Sequence, residues 1–422
     1  MSRPVQRRWL PREAAVVLST LNSTPIRQER TTADSSVFLY AGLTADVLQS
    51  LVKNTLLNPA LTLPLYILSS STERGYEWSL LHPTALRRLR VLCYLSLARW
   101  LNSYLTRRSL SNWTSDKWVT SQELAVVTGG STGIGKHMVL SLASKGLKVV
   151  ILDVQAPTYD LPTKSIAYIP CDLSIPASIS QAVVDIRSTP GLSHPTILVL
   201  NAGIGFNAPL ISIPDSLLEK QFNVNILSHF RLVRHFLPDM IKKNHGMIVT
   251  MASLSAYITP PLIVPYACTK SASLSFHEGL AAELVTEYKA PKVRTLCVCP
   301  SWANTGLVSG LQVKDKFLSP ILEPETIAEA VVERIMRQEG GVLYMPKIHS
   351  WYGGSIRGWP DWVQTIVRKG AYKQTSLLTM GNTTLQQTQE QGVPGADPEE
   401  NLEEKEEVVV EAVVQEEAEK SG

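Results

Sequence analysis

A glycine-rich turn at residues 129–135 constrains the fold of this chain more than any other feature. The turn follows an apolar, β-branched run at residues 124–128 and precedes a helix-compatible stretch that extends to Lys145. Glycines let the backbone approach a pyrophosphate closely, and the amino end of the following helix supplies unpaired N–H groups with positive dipole character. This order of strand, turn and helix predicts a dinucleotide-binding unit.

A carboxylate after the next strand bears on which dinucleotide binds. Residues 147–152 form an apolar run that predicts the second strand, and Asp153 follows it, eighteen residues after Gly135. A carboxylate there can accept hydrogen bonds from the adenosine ribose hydroxyls and would repel a 2′-phosphate. The turn has no arginine before Gly133. We therefore predict NAD as the cofactor, with NADP as the second candidate; the competing interpretation is that Asp153 is only a turn residue.

Strands and helices alternate through the middle of the chain. Further apolar runs predict strands at residues 165–169, 196–200, 247–252, 293–298 and 341–344, and helical patterns lie at residues 135–145, 176–187, 216–243, 266–289 and 324–338. Apolar strands that alternate with amphipathic helices form a parallel sheet covered on both faces. The fold class predicted for residues 121–346 is therefore α/β, a Rossmann-type doubly wound parallel sheet, which binds ligands at the carboxyl ends of its strands.

Tyr266 and Lys270 form a candidate acid–base pair. They lie four residues apart after Pro265, which suits the first turn of a helix, so both side chains share one helix face. The ammonium is expected to lower the phenol pKa from about 10, and such a hydroxyl can exchange a proton with a carbonyl or alcohol oxygen. Ser253, thirteen residues before Tyr266 at the end of a predicted strand, is placed to hydrogen-bond the same oxygen. A Tyr-x-x-x-Lys pair by itself also occurs by chance on helix surfaces.

These motifs together resemble the short-chain dehydrogenase/reductase family across residues 121–346. The matching pieces are residues 128–135, Asp172-Leu173, residues 201–203, Asn225, Ser253, Tyr266-x-x-x-Lys270 and Pro300-x-x-x-x-Thr305. Residues 236–240, 276–280 and 290–295 are also similar to the branch that holds the retinol dehydrogenases and the lipid-droplet 17β-hydroxysteroid dehydrogenases. Leu200, Ser301 and Ala303 depart from the usual family residues, but these departures remove no catalytic group.

The resemblance implies a role for each catalytic candidate. Tyr266 is the general acid/base, and Lys270 lowers its pKa and holds the nicotinamide ribose. Ser253 orients and polarises the substrate oxygen, whereas Asn225 holds a water that relays protons between Lys270 and solvent. The implied cofactor-binding residues are Gly129, Ser131, Thr132, Gly133, Ile134, Gly135, Asp153, Asp172, Leu173, Asn201, Ala202, Gly203, Tyr266, Lys270, Pro300, Ala303 and Thr305. No metal site is predicted, and the implied chemistry is hydride transfer coupled to proton transfer through Tyr266.

The first 120 residues are predicted to form a membrane-associating extension. Two segments, residues 54–72 and 91–105, are rich in apolar side chains, and the second carries Arg99 and follows three other arginines. No cleavable signal peptide is apparent. Basic residues beside a leucine- and tryptophan-rich face suit a helix in a membrane interface. A hairpin that enters the bilayer and returns also fits, and the third interpretation is a pair of helices packed on the catalytic domain.

Two stretches after the catalytic domain differ from it in composition. In residues 347–380, aromatic side chains lie among Gly, Pro and basic residues, which favours a membrane interface, a lid on an apolar pocket or ordinary packing. These aromatic residues are Trp351, Tyr352, Trp359 and Trp362. Residues 381–422 are rich in Gln, Thr, Pro and Glu and are predicted to form a disordered acidic tail.

Composition narrows the class of function. A net charge of +3 gives no support to a nucleic-acid partner, and five cysteines without a C-x-x-C pair indicate free thiols in a reducing compartment. We predict a membrane-associated NAD(P)-dependent oxidoreductase of a lipophilic alcohol or carbonyl: a retinoid, a sterol, or a fatty alcohol or aldehyde. The predicted location is the endoplasmic reticulum membrane or a lipid droplet, with a cytosolic catalytic domain. The resemblance also implies a homodimer built on the Asn225 and Tyr266 helices.

Two alternative functions stay open at this point. One is an NADPH-dependent carbonyl reductase of lipid biosynthesis, against which Asp153 argues. The other is a nucleotide-binding scaffold on lipid droplets or the endoplasmic reticulum that has lost turnover. The presence of Ser253, Tyr266, Lys270 and Asn225 together argues against such a scaffold.

Overall fold

The computed structural model describes residues 45–161, 165–192, 194–308, 321–351 and 353–376. Within these residues a parallel sheet with its covering helices is preceded by four helices and followed by one more α-helix. Tyr352 and the acidic tail predicted at residues 381–422 lie outside the described residues.

Seven parallel strands form the sheet, in the order β3-β2-β1-β4-β5-β6-β7. The strands are β1 (Leu124–Thr128), β2 (Lys148–Asp153), β3 (Ile166–Pro170), β4 (Ile197–Leu200), β5 (Gly246–Met251), β6 (Val293–Pro300) and β7 (Gly341–Met345). Every residue of β1, β4, β5 and β6 is buried, because helices cover both faces of the sheet. The predicted doubly wound parallel sheet is confirmed.

Eleven α-helices lie in the described residues. They are α1 (Ala45–Asn54), α2 (Pro59–Ser71), α3 (Glu73–Leu81), α4 (Pro83–Leu110), α5 (Gly133–Ser144), α6 (Pro176–Ser188), α7 (Asp215–Phe222), α8 (Ser228–Lys243), α9 (Val264–Thr286), α10 (Pro324–Met336) and α11 (Asp361–Thr375). Side chains from β4, β5, α6 and α8 join in one buried apolar cluster, which includes Leu198, Ile248, Ile179 and Phe236.

One predicted helix, at residues 216–243, is interrupted. A π-helical turn at Asn223–Leu227 separates α7 from α8, and the backbone N–H of Ser228 donates to the carbonyl of Asn223, five residues earlier. Such turns are rare and are found frequently at functional positions. Asn225, a predicted site residue, lies in the middle of this turn.

Helices α1 to α4 bury polar side chains and expose apolar ones. Helix α2 packs along α4, where Thr62 Oγ1 lies 2.6 Å from Ser96 Oγ in a buried contact. Arg99 donates from Nε to the carbonyl of Leu57 at 3.0 Å and from Nη2 to that of Lys53 at 3.1 Å. Exposed apolar residues of these helices include Leu48, Leu51, Leu61, Leu65, Leu68, Trp78, Tyr94, Leu95, Trp100 and Leu101. None of the helices in the described part of the chain combines the length and apolarity needed to cross a bilayer.

A largely buried ionic cluster joins the segment before β1 to the amino edge of the sheet. His245 Nδ1 lies 2.6 Å from Asp116 Oδ2, and His245 Nε2 lies 3.0 Å from Glu123 Oε2. The hydrogen bond with Glu123 is the main cause of a raised pKa of His245, and Asp116 adds to it against the effect of burial. Burial by itself raises the pKa of Glu123, but the hydrogen bonds from His245 and Thr196 outweigh it, so this pKa is lowered.

Candidate active site

The carboxyl ends of the strands open into one cavity of about 800 Å³. Most of the predicted site residues line it: Gly129, Thr132, Gly133, Ile134, Asp153, Asp172, Leu173, Asn201, Ala202, Gly203, Ser253, Tyr266, Lys270, Pro300, Ala303 and Thr305. The other three, Ser131, Gly135 and Asn225, are buried and do not contribute to the cavity wall. The fold thus brings together residues that are spread over more than 170 positions of the sequence.

The glycine turn packs so closely that side chains would not fit at two of its positions. Gly129 has φ +65°, and a Cβ there would lie 2.9 Å from the Cα of Ala202. A Cβ on Gly135 would lie only 1.9 Å from the carbonyl oxygen of Gly129. Helix α5 begins at Gly133. The two glycines therefore allow the turn to pack closely against Ala202 and against its own backbone where α5 begins.

Two carboxylates in the cavity wall accept hydrogen bonds from nearby turns. Asp153 accepts hydrogen bonds from the backbone N–H groups of Ser131 at 3.0 Å and of Gln155 at 3.2 Å. Asp172 accepts from the backbone N–H of Ser174 at 2.8 Å and from its hydroxyl at 2.7 Å. A carboxylate has about four acceptor positions, so Asp153 retains capacity for ribose hydroxyls. Its support of the glycine turn through Ser131 was not predicted from the sequence.

Hydrogen bonds of Asn201 join the end of β4 to the end of β1. The hydroxyl of Thr128 accepts from the backbone N–H groups of Asn201 at 2.9 Å and of Ala202 at 3.0 Å. The side chain of Asn201 donates to the carbonyls of Thr128 at 2.9 Å and of Gly129 at 3.1 Å. The amide of Asn201 therefore holds the glycine turn in place, and the same residue lines the cavity.

Tyr266 and Ser253 meet in the wall of the cavity. Tyr266 lies in the first turn of α9, and Ser253 follows β5 in an extended backbone conformation. The Ser253 hydroxyl accepts from the backbone N–H of Ser255 at 3.2 Å and donates to the carbonyl of Pro300 at 3.4 Å. Burial raises the pKa of Tyr266 to about 12, against the opposing effect of its hydrogen bond with Ser253.

The sequence predicted that Lys270 lowers the pKa of Tyr266, and this direction is wrong. Lys270 Nζ donates to the carbonyl of Met251 at 2.7 Å and lies over the Tyr266 ring, 5.4 Å from its centroid. The ammonium is therefore near the ring face and is already engaged, while burial removes the water that would solvate a phenolate. Burial also lowers the pKa of Lys270 to about 8.

Asn225 is fully buried beside Lys270. Its Oδ1 accepts from the backbone N–H of Ile204 at 2.8 Å, and its Nδ2 donates to the carbonyl of Ile204 at 2.8 Å and to Thr269 Oγ1 at 3.1 Å. A Cβ on Gly203 would lie 3.4 Å from Lys270 Nζ and 3.6 Å from Asn225 Oδ1, so these two side chains approach each other across this glycine. The proton-relay water expected at Asn225 stays a prediction.

The segment after β6 closes the cavity over the glycine turn. A Cβ on Gly133 would lie 3.6 Å from Thr305 Cγ2, which places the Thr305 side chain directly beside the turn. Ala303 pairs with Leu322 in an isolated parallel bridge, and this pairing holds the segment against the chain that leads to α10. The segment is therefore positioned to contact a ligand held by the turn.

Part of the cavity wall is apolar. It includes Ile258, Pro260, Ile263, Trp302, Leu307, Val367 and Ala371. Val367 and Ala371 belong to α11, a helix that was not predicted, although their four-residue spacing after Val363 is a helical signal. This placement is consistent with a lid on the pocket, and the choice among the three interpretations of residues 347–380 stays a prediction. His349 also lines the cavity and was not among the predicted residues.

Comparison with known proteins gives the class to which this site belongs. Residues 123–316 match the family model described as short chain dehydrogenase. Over 200 residues the chain is 45% identical to Dehydrogenase RED2 of Cochliobolus heterostrophus, covering 47% of this chain and 75% of that protein. It is 30% identical over 266 residues to human Estradiol 17-beta-dehydrogenase 11, covering 61% of this chain and 83% of that protein. The protein therefore belongs to the short-chain dehydrogenase family and is an oxidoreductase.

Further comparisons agree with this assignment. Human 17-beta-hydroxysteroid dehydrogenase 13 is 32% identical over 232 residues, covering 53% of this chain and 75% of that protein. The resemblance to the branch that holds the 17β-hydroxysteroid dehydrogenases is thus confirmed. A crystal structure of a short chain dehydrogenase/reductase from Burkholderia phymatum in complex with NAD superposes with a TM-score of 0.50 at 21% identity, covering 57% of this chain and 96% of that one. At this identity the superposition shows the shared fold alone.

Proposed function

We propose that the protein is a membrane-associated oxidoreductase that transfers a hydride between a nicotinamide cofactor and the alcohol or carbonyl carbon of a lipophilic substrate. One observation carries this proposal. Ser253, Tyr266 and Lys270 lie in the wall of one cavity that is also lined by the glycine turn, by Asp153 and by a set of apolar residues. A retinoid, a sterol, or a fatty alcohol or aldehyde has the chemistry that such an apolar wall accommodates.

Several residues of the cavity wall fit a nicotinamide dinucleotide. Helix α5 begins at Gly133, where a Cβ would lie no closer than 3.6 Å to the side chain of Thr305, so the amino end of this helix would be open to a pyrophosphate. Asp153 would hold the adenosine ribose, and Lys270 with Tyr266 would hold the nicotinamide ribose. The cofactor supplies the hydride acceptor or donor. The short chain dehydrogenase/reductase from Burkholderia phymatum, which shares this fold, was crystallised in complex with NAD, and we propose the same class of ligand here.

The chain itself supplies the proton transfer. With a pKa of about 12, Tyr266 is protonated at neutral pH and can donate its proton to a carbonyl oxygen that becomes an alcohol. Ser253 shares a hydrogen bond with Tyr266 and can hold the same substrate oxygen. In the reverse direction Tyr266 must first lose its proton, so alcohol oxidation is expected to accelerate as pH rises above neutral. Asn225 and Lys270, which approach each other across Gly203, would return the proton to solvent.

We propose NAD as the preferred cofactor because the Asp153 carboxylate faces the cavity. A 2′-phosphate would bring two negative charges against this carboxylate. Replacing Asp153 with alanine removes that repulsion, and it also removes the acceptor for the Ser131 N–H. We therefore expect weaker binding of NADH, and a smaller ratio between the dissociation constants of NADPH and NADH than in the unchanged chain.

The amino-terminal helices and α11 support association with a membrane. Small polar side chains between helices and leucines on the outside are typical of helices surrounded by lipid. Helix α11 exposes Trp362 and Ile366 beside Lys369, a combination of aromatic, apolar and basic residues that suits a membrane interface. We place the protein at the endoplasmic reticulum membrane or a lipid droplet, with its catalytic domain on the cytosolic side.

A homodimer is part of the proposal. Phe230 of α8 is about half exposed and packs edge-on against Phe276 of α9, with ring centroids 5.0 Å apart. Leu227, just before α8, is also exposed. Exposed aromatic and apolar residues on these two neighbouring helices suit a contact between copies of the chain.

The test begins with cofactor titration of the detergent-purified chain. Fluorescence titration against NADH and NADPH is expected to show tighter binding of NADH. Oxidation of retinol, sterols and long-chain alcohols is then followed as NADH formation. Turnover of a long-chain alcohol that exceeds turnover of a short one supports the proposal. Binding of neither dinucleotide, or equal turnover of short and long alcohols, contradicts it.

A further inference from the structure

The proposed function does not use a contact between the amino-terminal extension and a segment that borders the cavity. Asp46 lies in the first turn of α1 and is 7% exposed. Its Oδ2 accepts from the backbone N–H of Lys347 at 2.9 Å, and its Oδ1 accepts from that of Ile348 at 2.8 Å. The two partners are about 300 residues away in sequence, so the contact is purely tertiary.

The segment that Asp46 holds forms part of the cavity wall. Lys347 and Ile348 open a short 3₁₀ turn at Lys347–Trp351, and the next residue, His349, lines the cavity. His349 is 6% exposed, and its Nδ1 lies 3.2 Å from the carbonyl of Pro346. A carboxylate that accepts two successive N–H groups at the start of a turn acts as an amino-terminal cap and fixes the direction in which the following residues point.

We propose that Asp46 is a positioning residue of the substrate site: by capping the 347–351 turn, it holds His349 in the cavity wall and so makes the amino-terminal extension part of the site. The extension then has two roles, since α2 to α4 face the lipid whereas α1 shapes the pocket. Asp46 itself does not line the cavity and is not a catalytic residue. This inference rests on the proposed function for the class of substrate.

Binding of an apolar probe tests the inference without turnover. The probe is the fluorescent fatty acid cis-parinaric acid, titrated into the purified full chain. Asp46→Ala is expected to raise its dissociation constant on the order of tenfold, because two backbone donors lose a charged acceptor and the turn can reorient. Asp46→Asn keeps one acceptor oxygen and turns an NH2 group toward the second backbone N–H, so one of the two hydrogen bonds is lost and the dissociation constant is expected to rise about threefold. Glu73→Ala, which removes an exposed acid of the same extension, is expected to bind the probe as the unchanged chain does.

Kinetics with a long-chain alcohol distinguish an effect of Asp46 on the substrate site from a general loss of structure. Asp46→Ala is expected to raise KM on the order of tenfold and to leave kcat and the dissociation constant of NADH within about twofold, since the glycine turn and Tyr266 do not contact Asp46. Unchanged probe affinity and KM in Asp46→Ala overturn the inference. An equal loss of kcat, NADH affinity and thermal stability also overturns it, because Asp46 would then be a general structural residue.

Two further outcomes keep the inference separate from the proposed function. If Asp46→Ala does not fold, Asp46→Asn decides, and an affinity for the probe equal to that of the unchanged chain overturns the inference. If the unchanged chain binds the probe but oxidises no alcohol, the proposed function fails, whereas weaker probe binding by the Asp46 variants still supports the inference.

Discussion

The sheet domain and the amino-terminal helices bury opposite kinds of side chain. In the sheet domain, Leu198 and Phe236 are 0% and 1% exposed. In the helices before it, Thr62 and Ser96 are 5% and 0% exposed, whereas Leu65 is 55% exposed. The first arrangement follows from contact with water, and the second is expected where lipid surrounds the helices. The two regions of the chain thus follow different packing rules, and the proposed association with a membrane would account for the second.

Polar groups have different roles in the two regions: in the sheet domain they include the proposed catalytic hydroxyl of Tyr266, whereas in the amino-terminal helices they join one helix to another. Removal of the Tyr266 hydroxyl is expected to have the largest effect. We expect Tyr266→Phe to lower kcat about 10²- to 10⁴-fold, because general acid–base catalysis is lost, and to leave the dissociation constant of NADH nearly unchanged. The matched control is Tyr257→Phe, which removes a hydroxyl that is hydrogen-bonded to Tyr344 at 3.0 Å. A wild-type rate in Tyr266→Phe would mean that the mechanism given above is incorrect.

The same leucine substitution in both regions compares the two packing rules directly. We expect Leu198→Ala to lower the free energy of unfolding by about 2–5 kcal/mol, because it opens a cavity in the core. Leu65→Ala, on an exposed face of α2, is expected to cost under about 0.5 kcal/mol in detergent. Thermal denaturation of both variants measures the difference. Equal losses would show that the outer face of α2 is packed against protein, and the comparison would fail.

The ionic cluster at His245 makes the stability of the sheet domain depend on pH. The folded-state pKa of His245 is raised, so its contribution is fully present below the unfolded value of 6.5 and is lost as pH rises through the folded pKa. The pKa of Glu123 is lowered, so its contribution is present above the unfolded value of 4.5 and is lost as pH falls through the folded pKa. The cluster therefore stabilises the fold most between pH 4.5 and 6.5.

Replacing the imidazole tests that pH dependence. His245→Gln is expected to cost about 1–3 kcal/mol near pH 6, because Glu123 loses a charged partner, and to cost less at pH 9. Melting temperatures across this pH range give the measurement. His194→Gln, which removes a more exposed imidazole 3.7 Å from Asp239, is the control and should leave the profile unchanged. A cost that does not vary with pH would exclude titration of His245 as the cause.

The smallest expected effect concerns the polar contact between α2 and α4. Thr62→Val keeps the shape of the side chain and removes the hydroxyl that meets Ser96, at an expected cost of about 0.6–1.7 kcal/mol. Thr55→Val is the control, since the Thr55 hydroxyl bonds only to the carbonyl of Leu51 in its own helix region. Denaturation in detergent and in vesicles measures the free energy of unfolding of the Thr62→Val and Thr55→Val variants. A Thr62 variant as stable as the control would mean that apolar contacts alone hold the two helices together.

Local patterns in the sequence were sufficient to predict the strands of the sheet and many residues of the candidate site. Strand β1 has the bounds that its apolar run predicted, and the other six strands lie within two residues of their predicted positions. Motifs at strand ends were also sufficient to name sixteen residues of the cavity wall, since parallel strands bring their carboxyl ends to one edge. Both results depend on hydrogen bonding and burial that repeat over a few residues, and such regularity is visible in a sequence.

Properties that depend on contacts between distant residues are visible in the folded structure and not in the sequence. The pKa of Tyr266 follows from burial by several elements, so the sequence spacing to Lys270 suggested the wrong direction. The capping of the 347–351 turn by Asp46 joins opposite ends of the chain, and the place of α11 in the cavity wall depends on how the last helix packs. Charge, burial and cavity shape are set by all the neighbours of a residue in space, and a sequence shows only its neighbours along the chain.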